Sequence, residues 1–183
     1  MKKIILFITI SYCYNVYSQT EKSFYVDDKE NYIVLLDKDI KPSKKNVEGT
    51  EVNVFVKMSE MGFNYTLLIS KIFDHDFLEG NLLGDSYIKY FSDTCECTVL
   101  ENEVITYNNL RGLRFKIKVQ NKENIFIGYN DSFVSGDLLY NILFLTFEND
   151  FDKQQKKYSD IMNTLIINGR TTIDSYKEYE IKN

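Results

Sequence analysis

Arg114-Phe115-Lys116-Ile117-Lys118-Val119-Gln120 alternates polar and apolar residues at every step. A period of two marks a strand with one face on a core and the other turned away from it. The neighbouring residues extend the pattern. Asn121 to Asn124 has turn composition, and Ile125-Phe126-Ile127-Gly128-Tyr129 reads as the next strand. Ser135-Gly136-Asp137 then turns into Leu138 to Phe147, a run that is apolar on both faces. Such a run fits a central strand covered on two sides. Before the alternation, residues 95–107 have strand composition and Asn108-Asn109 makes a turn.

The first half repeats the theme. Tyr32-Ile33-Val34-Leu35-Leu36 reads as a strand, after a polar stretch (19–31) holding only the patch Phe24-Tyr25-Val26. Residues 37–50, with Pro42, Lys44, Lys45 and Gly49, read as a loop. Val52, Val54, Val56 and Met58 alternate with Glu51, Asn53, Phe55 and Lys57. Met61-Gly62-Phe63-Asn64 reads as a turn into a second strand, Tyr65 to Phe73, so the two are expected to form a hairpin.

Two segments change period. Over residues 80–91, Leu83, Tyr87 and Phe91 fall four apart with Ile88 beside them, which predicts a short helix. Tyr158, Ile161, Met162, Leu165 and Ile166 form a second helical stripe. Asp150 or Asp152 is placed to cap that helix, and Asn168-Gly169 to end it. Residues 170–183 read as a polar tail. Strands in hairpin runs with two helices predict an α+β domain over residues 19–169, a mostly antiparallel sheet packed by helices.

The composition narrows the class further. The chain has 183 residues, 44% hydrophobic and 27% charged, with no Ala, no Trp and one Pro. That excludes a disordered chain, a collagen and a coiled-coil rod. The net charge is −5, and only Arg111, Arg114 and Arg170 are arginines. An acidic chain with so few arginines lacks the footprint of a nucleic-acid binder, and the same balance argues against anionic lipid.

The N-terminus reads as an export signal. Met1-Lys2-Lys3 precedes the short apolar run Ile4 to Ile10, and Val16-Tyr17-Ser18 fits a cleavage site before Gln19. The run is too short to span a bilayer. The expectation is a periplasmic or secreted protein, not an integral membrane protein, and a monomer or weak oligomer. A buried first strand is the alternative for the run. Lipidation at Cys13 is the alternative processing route, but the bulky Tyr12 stands where a small residue is wanted.

The C-terminal half carries a resemblance. Asn108-Asn109-Leu110-Arg111-Gly112-Leu113-Arg114-Phe115 leads to a strand. Ser135-Gly136-Asp137-Leu138-Leu139-Tyr140 opens another that ends Leu145-Thr146-Phe147. Phe151 follows, and a helix closes with Asp160-Ile161-Met162-Asn163-Thr164-Leu165. This pattern, over about residues 105–166, resembles the PsbP-like superfamily, including DcrB-type bacterial envelope proteins. The resemblance implies an α/β/α sandwich with a six- or seven-stranded antiparallel sheet. It also implies a non-catalytic accessory or binding role, the partner being another envelope protein or a small ligand. It carries no catalytic residue.

Candidate chemistry is sparse. Cys95-Glu96-Cys97 places two sulfurs on one face of an extended segment. A reducible disulfide, a metal pair and two packed thiols are all open readings, and the first two make a redox or metal-handling protein using Cys95 and Cys97 the alternative function. Four-coordinate zinc would need more ligands than these and the single histidine, His75, can supply. Asp74-His75-Asp76 is a weak metal or acid–base candidate, and it reads equally as a solvated connection. No nucleophile elbow, phosphate loop or zinc-protease motif occurs, so no catalytic residue and no cofactor are expected. A carboxylate pair in a cleft remains the enzyme alternative, since spacing alone cannot pair acids. Tyr87, Tyr90, Tyr176 and Tyr179 are candidates for a binding surface, because Tyr offers an apolar face with a polar tip.

Overall fold

The computed structural model describes residues 21–27, 32–47, 49–60, 62–72, 85–108, 110–135 and 138–167. The expected leader, Asp74-His75-Asp76 and the C-terminal tail lie outside them.

The elements are β1 (Lys22–Asp27), β2 (Tyr32–Asp37), β3 (Pro42–Val47), β4 (Thr50–Ser59), β5 (Gly62–Ile72), α1 (Asp85–Thr94), β6 (Thr98–Tyr107), β7 (Leu110–Asn121), β8 (Asn124–Ser135), β9 (Leu138–Phe147), α2 (Phe151–Met162) and β10 (Ile166–Ile167). Among the described residues they build two sheets. One has seven strands in the order β3-β4-β5-β9-β8-β7-β6, and the other has three, β1-β2-β10. Every pairing is antiparallel.

β9 is the middle strand of seven, as its two-sided apolar run requires. Tyr140, Ile142 and Phe144 point to one face, where they meet Tyr129 and Phe133 of β8, α2 and the three-stranded sheet. Leu139 points to the other face and packs with Leu113, Phe115, Ile117 and Tyr87 of α1. A helix therefore lies on each face of the long sheet. This is an α+β sandwich, as expected.

Three expectations are corrected. Residues 42–47 are a strand, β3, and not part of a loop. Pro42 is the first residue of that strand, where a missing N–H is tolerated, and Lys44 and Lys45 sit on an outer edge. Gly49 makes the tight turn into β4 at φ +87°, its N–H bonded to Asn46. The second correction concerns α2. The helix ends at Met162, so Leu165 and Ile166 lie beyond it. Ile166 and Ile167 instead pair with Ile33 and Tyr32 of β2, because a β-branched pair beside an open strand edge gains a ladder and burial together. Third, neither Asp150 nor Asp152 is a side-chain cap. A 3-10 turn over Glu148–Asp150 runs straight into α2 without one.

Asn108 turns β6 into β7 with φ 46°. Its side-chain amide donates to the carbonyls of Asn163 and Leu165 at 3.0 and 2.9 Å. One residue thus makes a hairpin turn and pins the chain leaving α2.

Burial holds the phenols of Tyr65, Tyr87 and Tyr158 above the ordinary tyrosine value of 10.0. Below pH 10 they are protonated in the folded and unfolded chain alike. Above it, only the unfolded chain ionises freely, so stability is lost as pH rises. We expect the urea midpoint to hold from pH 8 to about 10 and then fall. Tyr65 and Tyr158, whose shifts are large, each contribute a loss of up to about 1.4 kcal/mol per further pH unit, and Tyr87 adds in the same direction. A midpoint unchanged at pH 11 would show that these rings are solvated.

Candidate functional site

The most chemically distinctive corner lies where α1 hands over to β6. α1 forms because Tyr87, Ile88 and Phe91 share one face, which lies on the minor core cluster. Phe91 stacks on Phe115 of β7 with ring centroids 4.0 Å apart. Lys89 and Asp93, four apart on the outer side, pair at 2.6 Å. The helical bond from Cys95 N–H to the Phe91 carbonyl, 2.9 Å, carries the last turn as far as Cys95. Cys97, two residues on, packs against the minor cluster. The sulfurs of Cys95 and Cys97 lie in bonding contact as a disulfide, with Cα atoms 5.1 Å apart.

Beside this pair opens a shallow cavity of about 230 Å³, lined by Glu96, Cys97, Thr98, Lys118 and Gln120. Lys118 also reaches Glu148 at 2.9 Å. The cavity therefore holds one acid, one base, two neutral polar groups and a sulfur.

β6 forms the outer rim of the same corner, with β7 as its one sheet neighbour among the described residues. A register shift between Val99 and Glu101 leaves Leu100 without a cross-strand partner. Leu100 is 43% exposed, Val104 52% and Tyr90 of α1 48%.

A second cluster is buried under α2. The Arg114 guanidinium donates from Nε and Nη2 to both oxygens of Asp131, at 2.8 and 2.6 Å. The Tyr158 hydroxyl donates to the same carboxylate at 2.7 Å. Arg114 also donates to the Tyr107 hydroxyl at 3.0 Å and stacks over the Tyr129 ring, 4.3 Å from its centroid. Burial works to lower the Arg114 pKa, but the hydrogen-bonded Asp131 carboxylate outweighs it, and the net shift is upward. With every oxygen of Asp131 engaged, this cluster is built to hold α2 on the sheet and offers no open ligand position.

The binding-surface candidates divide. Tyr87 is a correction: it is buried, and its hydroxyl shares a 2.9 Å hydrogen bond with Ser132. The helical face that predicts α1 is also the face the sheet covers, so a tyrosine on that stripe goes inward. Tyr90, three residues on, faces outward. Tyr176 and Tyr179 lie outside the described residues, as do Asp74, His75 and Asp76. Among the described residues no three His, Cys, Asp or Glu side chains converge as metal ligands. No helix there is long and apolar enough to cross a membrane.

No family model matches the sequence, and no curated protein matches it. The likeness is three-dimensional. The sandwich is similar to cyanobacterial PsbP (CyanoP) from Synechocystis, with a TM-score of 0.62 and 12% identity over 83% of this chain and 95% of that one. The fold is PsbP-like. The yeast Ran-binding protein Mog1p, from Saccharomyces cerevisiae, is also similar: TM-score 0.53 and 8% identity over 82% of this chain and 97% of that one. PA94 from Pseudomonas aeruginosa, a protein of unknown function, gives 0.52 and 10% over 80% and 96%.

Within this PsbP-like sandwich, sequence reading missed two sets of residues. Arg114 belongs to the alternating polar face of β7, which reads as solvent-facing. The structure places α2 over the near end of that face, so Arg114 is only 11% exposed while Lys116 and Lys118 emerge progressively from under the helix. Lys118 and Gln120 line the cavity beside Cys97 although they lie more than twenty residues from it in sequence. Only the β6–β7 pairing, Thr98 opposite Lys118, brings them there.

Proposed function

We propose that this chain is an exported binding or accessory protein of the cell envelope, and that its partner docks where α1 meets β6. The observation that carries the reading is the β6 rim. It is an outer strand with Leu100 and Val104 turned to solvent, and Tyr90 is exposed on the adjoining helix. Exposed apolar and tyrosyl groups at a sheet edge suit protein contacts. The opposite edge, β3, is guarded by Pro42, Lys44 and Lys45, whereas β6 contains neither Pro nor Lys. Two further points support the reading. A PsbP-like fold also serves Mog1p, whose name records binding to Ran. The stretch from Met1 to Ser18 has the pattern of a cleaved leader.

The test is site-specific photo-crosslinking in the protein's own cells, with the full chain. A photoreactive residue at Val104 should give a discrete adduct that weakens when Tyr90 is replaced by Ala. The same residue at Val47, on the guarded edge, should give none. Adducts of equal yield at both positions, or none at either, would sink the β6 surface. Intact mass of the recovered chain checks export separately. A species beginning at Gln19 is expected, and one retaining Met1 to Ser18 in the cytoplasmic fraction would refute it.

A further inference from the structure

We propose that the Cys95–Cys97 disulfide is a thiol-exchange site whose substrate is a small zwitterionic thiol. Three observations carry this beyond a structural staple. First, the bond closes a loop of only three residues, and the stabilisation a disulfide gives through loop closure grows with loop length. This pair therefore stabilises the fold about as little as a disulfide can. α1 and β6 are already held by the helical bond to Cys95, the Phe91–Phe115 stack and the β6–β7 ladder. Second, both cysteines are only half-buried, and Cys97 lines an open cavity, which sets the disulfide beside solvent and not within the core. Third, Glu96 and Lys118 line the same cavity as Cys97, with Thr98 and Gln120 as neutral polar walls. At about 230 Å³ it suits a molecule of amino-acid size. One acid and one base, the base shared with Glu148 at 2.9 Å, together match an ammonium and a carboxylate on the same small molecule.

The exchange is as follows. A substrate thiolate attacks Sγ of Cys97. The Cys95–Cys97 bond breaks, its electron pair leaves on Cys95, and that thiolate takes a proton from solvent. A second substrate thiolate attacks the substrate sulfur of the mixed disulfide and expels Cys97 as a thiolate, which Lys118 favours electrostatically until it too is protonated. Two thiols have become one disulfide, and the protein pair has gained two electrons and two protons.

The experiment uses the oxidised full chain and follows appearance of the dithiol form by alkylation and intact mass. L-Cysteine and uncharged 2-mercaptoethanol are compared at equal thiolate concentration. Cysteine should reduce the pair faster. Lys118→Gln and Glu96→Gln should each lower the ratio of the cysteine rate to the mercaptoethanol rate about threefold, the size of one partly exposed charge contact, since any effect on the shared thiolate steps cancels in that ratio. Both side chains are at the surface, so neither variant threatens folding. A pair that resists millimolar thiol in the folded chain overturns the proposal. So does a pair that reacts alike with both thiols whatever stands at 96 and 118.

Discussion

Replacing Asp131 by Ala is expected to lower the unfolding free energy by about 3–5 kcal/mol, the range for breaking one half of a buried ion pair. The reason is what remains behind. Arg114 is buried under α2 with its fork matched to the two carboxylate oxygens, and Tyr158 bonds to the same carboxylate. Without Asp131, a guanidinium stays buried with no buried counter-charge in contact, and the Tyr107 hydroxyl at 3.0 Å, the Tyr129 ring face and Glu103 at 3.5 Å are left to answer it. Removing both charges is a different experiment. Arg114→Met with Asp131→Leu leaves no orphaned charge, and the double variant should be more stable than Asp131→Ala alone. Urea midpoints read both, with the slope checked so that the change is one of stability and not of unfolded-state compactness. A loss under about 1 kcal/mol for Asp131→Ala would show that water reaches the pair.

Gly128→Ala should be equally severe for a steric reason. Gly128 lies in β8, directly opposite Leu145 of the central strand. A Cβ built there would sit 1.7 Å from the Phe144 carbonyl oxygen and 2.7 Å from its carbon. The clash is with backbone, which cannot rotate aside, so the ladder between β8 and β9 must open. At least about 3 kcal/mol is expected, the upper end of over-packing effects. Gly112→Ala is the control. Its nearest neighbours are the Phe133 ring, which can shift a little, and the Ser132 carbonyl at 2.6 Å, so a smaller loss is expected. Thermal midpoints of the two variants separate these cases, and a Gly128→Ala protein as stable as the parent would refute the close approach.

How much of this was legible in the sequence depends on where each signal came from. The β7 alternation, the two-sided run of β9 and the stripe on α1 are properties of contiguous residues, and they identified those elements, although α1 runs on to Thr94, past the expected end at Phe91. β3 was missed because Pro42 and the lysines read as loop punctuation. Those same residues protect an outer edge, and only the sheet order reveals that β3 is one. Leu165 and Ile166 continue a helical stripe on paper. The chain leaves the helix because an open edge of β2, well over a hundred residues earlier, offers pairing to Ile166 and Ile167. Tyr87 read as a surface candidate because composition does not say which side of a short helix a sheet will cover.

The candidate site shows the same division. Cys95-Glu96-Cys97 stands out on spacing alone, since residues two apart must come close. Its surroundings do not. Lys118 and Gln120 arrive by antiparallel pairing, and Asp131 meets Arg114 across the β7–β8 ladder while Tyr158 descends from α2.

By itself the sequence determined the class of fold, its antiparallel character, the two helices and the proximity of the two cysteines, because local periodicity and short spacing act within a few residues. The tertiary structure alone decided strand order, which polar face lies under a helix, which carboxylate answers Arg114 and which charges flank Cys97. Those depend on register between distant strands, and register is set by the burial of the whole sheet rather than by any one segment of it.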